Sequence, residues 1–223
     1  MEANPLLPDI LFQLGPVPIS RPVVTTWGIV LLLVTVSWLG MRHARIHAGA
    51  LQSILEIVVE TIASQIQEII QRDPWRYLPL LGSLFIFLVV ANLSAIVPGM
   101  KPPTGHIETP AALAVIVFLS VHYLGIRTQG LVNYLRHYVR PSPFLLPLNV
   151  LSELTRIFSL MIRLFGNMMS HEFVIAIVAF LAGLLLPIPF MLLGILIGII
   201  QAYIFTILAA VFIGAAIGSV AID

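Results

Sequence analysis

The sequence predicts an all-α, polytopic membrane protein: five transmembrane helices plus one interfacial amphipathic helix, in a single membrane domain over residues 1–223. Three observations carry this expectation. Apolar residues make up 59% of the chain and charged residues only 9%, against roughly 25% charged in soluble domains. Mean hydropathy is +1.05. Apolar runs of the roughly 20 residues that a helix needs to cross a bilayer recur along the chain. A soluble globule needs far more charge to cover its surface, so a soluble enzyme, a disordered chain and a nucleic-acid binder are all excluded. The net charge of +1 supplies no field that would gather polyanions. With no cysteine, disulfide frameworks, thiol catalysis and thiolate metal sites drop out.

The first span covers 23–41, with no charge inside it. Glu2, Pro5, Pro8, Asp9, Pro16 and Pro18 precede it in place of a basic leader, so it reads as a retained helix and not a signal peptide. Residues 49–71 keep a helical apolar period through Leu51, Ile54, Leu55, Val58, Ile62, Ile66, Ile69 and Ile70. Gln52, Glu56, Glu60, Ser64, Gln67, Glu68 and Gln71 fill the other side, so this helix is expected to lie in the membrane interface. Spans two and three cover 76–97 and 110–129, joined by a loop containing Pro98, Gly99, Pro102 and Pro103. A basic, proline-punctuated connection follows. The last two segments, 148–186 and 190–220, are expected to form a long, strongly tilted hairpin turning at Pro187 and Pro189. A helix over 148–186 would measure about 58 Å, against a hydrocarbon core of about 30 Å, which implies a tilt of roughly 60°.

Arg42, Arg45, Arg72, Arg76, Arg127, Arg136 and Arg140 fall on one side of this arrangement, and Arg21 and Lys101 on the other. The positive-inside rule then puts the N-terminus outside and the C-terminus in the cytoplasm.

The first three spans carry no charge between their ends, but the 148–186 helix carries Glu153, Arg156, Arg163 and Glu172. A charge at mid-bilayer costs about 2.5–3.5 kcal/mol even on the mildest scale. Glu153 and Arg156, three residues apart, form a structural pair. Arg163 has no acid within helical reach on its own helix, and the last segment holds none before Asp223. Arginine cannot shed its proton, and a buried charge needs a partner. The missing carboxylate is therefore expected on another protein. Arg156, Ser159, Arg163, Asn167 and Ser170, spaced by three, four, four and three, make one polar stripe. His171 and Glu172 point elsewhere and suit a wet passage, expected to face Gly194 and Gln201 on the last helix. Gly194 with Gly198, and Gly214 with Gly218, have the spacing of close helix packing. His122 reads as a packing residue. Asn92-Leu93-Ser94 matches a glycosylation sequon by chance, inside a span. His171-Glu172 lacks the second histidine of a zinc site, position 175 being Ile, and neither a metal nor a cofactor is expected.

The stretch Ser159-Leu160-Met161-Ile162-Arg163-Leu164-Phe165-Gly166-Asn167-Met168 resembles the signature of subunit a of F-type ATP synthases. Ala91-Asn92-Leu93 with Ile96, Pro98 and Gly99, then Pro103-Thr104, and Gln201-Ala202-Tyr203-Ile204-Phe205 resemble further family motifs, in order. The resemblance covers about 24–220. It implies an ion-translocating stator subunit without a catalytic site of its own, in a bacterial plasma membrane. The expected partners are a c-subunit ring, peripheral-stalk b subunits, the ATPase head through the stalks, and lipid. By the same resemblance Arg163 meets the ring carboxylates, and Asn167, Glu172 and Gln201 flank it and line two half-channels, with Ser170, His171 and Gly194 nearby. Two positions depart from the family pattern. Ile157 stands where a proline is usual, and Gly194 where an acid or histidine is frequent, with His171 opposite. The transported ion is a proton or sodium. A secondary ion transporter is the alternative, opposed by the lack of internal repeats and paired broken helices. A structural scaffold is opposed by Arg163.

Overall fold

A computed structural model describes residues 10–14, 17–42, 50–97, 102–134, 144, 146–183 and 186–218. Arg45, Lys101, Arg136 and Arg140, which enter the orientation argument, lie outside them.

Ile10–Leu14 (β1) and Val17–Ser20 (β2) pair antiparallel just before the first helix, with Gln13 opposite Pro18 and Leu14 opposite Val17. The sequence reading placed no strand here. Pro18 disfavours a helix, and the Ile, Phe and Val content suits extended chain.

The helices are α1 (Arg21–Arg42), α2 (Ala50–Ile70), α3 (Leu78–Leu93), α4 (Glu108–Gln129), α5 (Leu146–Ala182) and α6 (Pro187–Ala216). All but α2 are long and apolar enough to cross a membrane. α2 buries Ile62, Ala63, Ile66 and Ile70 and leaves Glu56, Glu60, Gln67 and Glu68 exposed, as its amphipathic period requires. It stops where Gln71 turns left-handed (φ 53°), and Asp73 then caps the short turn Pro74–Arg76 by accepting from Trp75 N–H.

Both long helices differ from the expected limits at their ends. α5 starts at Leu146, with Pro147 in its first turn, where a missing N–H costs nothing. It runs unbroken through Ile157 and Gly166 to Ala182, about 55 Å. Pro187 does not make the turn; it is the first residue of α6, and Pro189 sits in that first turn. The stops are glycines. Gly183 (φ 74°) ends α5, and Gly218 (φ 70°) lies just past α6 with its N–H on Ala215 C=O. Gly218, whose spacing from Gly214 suggested close packing, is thus a helix stop that also has the Gln129 side chain close against it, a Cβ there lying 3.2 Å from Nε2.

α6 is the central helix and packs against α2, α3, α4 and α5. Its buried face carries Ala202, Ala209, Ala210 and Gly214, small residues that let neighbouring backbones approach where lipid offers no hydrophobic drive, with Phe205 and Ile213 filling the space between them. Leu160, Leu164 and Met168 of α5 complete the seam. Gln129 Nε2 donates to Ala216 C=O at 2.8 Å and Arg72 Nη2 to Ile217 C=O at 3.4 Å, so the last residue of α4 and a residue just after α2 satisfy carbonyls at the end of α6.

Candidate functional site

α5 and α6 run antiparallel, and their register is read from three contacts. Arg156 Cζ lies 5.5 Å from the centroid of the Phe212 ring. The Asn167 side chain donates from Nδ2 to Gln201 Oε1. The His171 ring lies on Gly194, where a Cβ would come within 1.7 Å of Nε2. Gly194 is therefore the residue that leaves room for the imidazole.

Arg163 sits near the middle of α5 on an exposed face. Its Nη2 donates to Ser159 Oγ, one turn back, at 3.4 Å, and no acid pairs with it among the described residues. Elsewhere on α5, Phe158, Ile162, Val174 and Ile177 are exposed and apolar. Asn167 and Ser170 continue the stripe and are exposed as well. The expected pair of Glu153 and Arg156 forms at 3.4 Å, three residues apart.

Glu172 lies half a turn away from Arg163 around α5, at 100° per residue. The sequence reading expected it to face Gly194 and Gln201; the structure places its carboxylate against the short helical turn Pro103–Gly105 between α3 and α4. A Cβ at Gly105 would lie 2.7 Å from Glu172 Oε1. The two polar faces of α5 therefore serve different surroundings. One is open; the other is covered by a turn that is itself packed into the bundle.

Sequence reasoning undervalued the residues around that turn. Thr104 Oγ1 donates to Asn92 Oδ1 at 2.8 Å, and Asn92 Nδ2 donates to Gly198 C=O at 2.8 Å. Asn92 and Thr104 are 4% and 0% exposed. The sequon match had set Asn92 aside, although an amide inside an apolar span is itself a signal, because it must find partners there. Gln201 is 2% exposed, and its Nε2 has no hydrogen-bond partner among the described residues. His122 bonds Phe118 C=O in its own helix at 2.9 Å and rests beside Tyr134, consistent with packing. No cluster of three metal-ligating side chains occurs among the described residues.

The family model for the ATP synthase A chain matches residues 23–214. A Bradyrhizobium protein named ATP synthase subunit a 2 is 57% identical over 221 residues, covering 99% of each chain. A Pelobacter propionicus protein of the same name is 46% identical, over 94% of this chain and 92% of its own. ATP synthase subunit a of Moorella thermoacetica is 45% identical, over 92% and 94%.

Proposed function

The chain belongs to the ATP synthase A chain family and is a membrane subunit of an F-type ATP synthase, and on that premise we propose that it is the ion-translocating stator, without a catalytic site of its own. In this reading Arg163 meets carboxylates on a rotating ring of c subunits and keeps two ion paths apart. Glu172 and His171 carry the ion on the covered side of α5, and Asn167, Gln201, Ser170 and Gly194 shape the passage. The peripheral-stalk b subunits link the stator to the catalytic head. The membrane is a bacterial plasma membrane, with the N-terminus outside.

The observation that carries the reading is the permanently charged Arg163, exposed on a polar stripe halfway along a membrane helix and without an acidic partner among the described residues. Such a charge is costly in hydrocarbon and gains from a carboxylate that arrives from outside the chain. The guanidinium cannot be neutralised, so it repels cations in every state, and it releases a carboxylate only when that group is protonated or its charge is otherwise met. A passing acid is thereby made to exchange its ion, which couples rotation to ion flow.

The test is Arg163→Ala in the whole complex. ATP synthesis driven by an ion gradient should vanish while the complex still assembles. Lysine should restore little, because its compact ammonium lacks the planar fork. Wild-type synthesis in Arg163→Ala would overturn the proposal. Repeating synthesis with and without sodium, in the presence of a protonophore, identifies the ion.

A further inference from the structure

Each titratable side chain on the covered side of α5 rests against a glycine: His171 on Gly194, Glu172 on Gly105. These two seats belong to different parts of the chain, one to α6 and one to the turn between α3 and α4. A single hydrogen-bond chain connects them. Thr104, the residue before Gly105, donates to Asn92 on α3, and Asn92 donates to the carbonyl of Gly198, one helical turn beyond Gly194 on α6.

The chemistry of the chain requires at its centre a group that donates and accepts at once, and the amide of Asn92 does so. Asn92 accepts through Oδ1 and donates through Nδ2 at the same time, which neither a carboxylate nor an apolar side chain can do. Gly198 admits it closely: a Cβ there would lie 3.0 Å from Asn92 Cβ. All three members are buried. In apolar surroundings the bonded arrangement is strongly preferred over any that leaves these groups unpaired.

We propose that Asn92 and Thr104 are positioning residues for ion transfer. They tie the Pro103–Gly105 turn to α6 and so fix the seat of Glu172 relative to the seat of His171. The proposal rests on the reading of Glu172 and His171 as ion-pathway groups. Neither Asn92 nor Thr104 exchanges the ion; each acts through the turn it holds. A displacement of about 1 Å between exchanging groups can slow transfer by about 100-fold, so the geometry of this tie reads out as a rate.

The experiment uses the intact ATP synthase in inverted vesicles. ATP-driven charge movement is followed with a potential-sensitive dye, which responds to either ion, and is normalised to the assembled complex. Thr104→Val keeps the shape of the side chain and removes the donor; turnover per complex should fall about 10-fold or more. Thr104→Ser restores the donor and should recover most of the wild-type rate. A merely structural role would lower the amount of complex and leave its turnover unchanged. Wild-type turnover in Thr104→Val, or a Thr104→Ser variant as slow as Thr104→Val, would overturn the proposal. If Thr104→Val does not assemble, Gly105→Ala decides. Its methyl displaces the flexible Glu172 carboxylate and leaves the Thr104 hydroxyl in place, so turnover should fall; a full rate would overturn the proposal. Glu172→Gln separates the two levels. If it turns over normally, the ion-pathway reading itself fails. If it is impaired while Thr104→Val and Gly105→Ala are not, only the positioning role fails.

Discussion

Replacing Gly194 by alanine tests the contact between the two long helices at its tightest point. The added Cβ would lie 1.7 Å from His171 Nε2, 2.3 Å from Cε1 and 2.6 Å from Cδ2. Ordinary contact between heavy atoms begins near 3.5 Å, so the ring must retreat by about 2 Å. The obstructing atoms are the far end of a side chain with two rotatable bonds. The backbone can therefore stay in place, at a cost of about 0.5–1.5 kcal/mol if the ring leaves its rotamer well. The complex should assemble normally. Ion transfer should nevertheless fall by about 100-fold, since a misplacement of about 1 Å already has that effect on a positioned group. The assay is ATP-driven ion pumping into inverted vesicles, normalised to the assembled complex. A double-mutant cycle sharpens it. If the glycine serves only to seat the imidazole, Gly194→Ala added to His171→Ala should slow pumping no further. Full activity in Gly194→Ala, or additive losses in the double variant, would refute the reasoning.

Gln201→Leu should change the stability of the complex by no more than about 1 kcal/mol, because the lost bond to Asn167 is offset by removing the buried, unpartnered Nε2. Its pumping rate should drop all the same; a large loss of thermal stability with normal pumping would contradict this. Cysteines at 171, 172, 194 and 201 should react with silver ion or a small membrane-impermeant thiol reagent, while cysteines at the exposed apolar positions Phe180 and Leu181 stay inert. Equal inertness at all six would leave no wet passage on that side. The unbroken α5, about 55 Å long, should lie at roughly 55° to the bilayer normal in oriented membranes if it is to stay within a core of about 30 Å. An upright α5 in such a sample would count against the tilted hairpin.

Two contacts of α6 bear on its placement. Tyr203 Oη donates to Gln65 Oε1 at 2.8 Å, and Ile217 C=O accepts from Arg72. The last 14 residues of α6 thus run beside the end of α2 and the residues just after it.

The sequence alone determined which segments are helical and apolar, because hydropathy and period are properties of consecutive residues. It also determined that Arg163 has no acid within helical reach, since 100° per residue is fixed by the backbone. The division of α5 into two polar faces came from the same rule, and the Glu153–Arg156 pair needed only a spacing of three. The ends of the long helices were written in Gly183 and Gly218, but the stop at the left-handed Gly183 was assigned to Pro187 and Pro189 nearby. What only the tertiary structure decided is which side chain meets which helix. His171 and Glu172 are adjacent in the chain, yet one meets Gly194 and the other Gly105. Asn92, Thr104 and Gly198 look unremarkable apart and become one buried chain together. The reason is physical. A helix fixes the angles of its own side chains, but its rotation about its axis and its slide along a neighbour are set by packing against residues far away in the sequence.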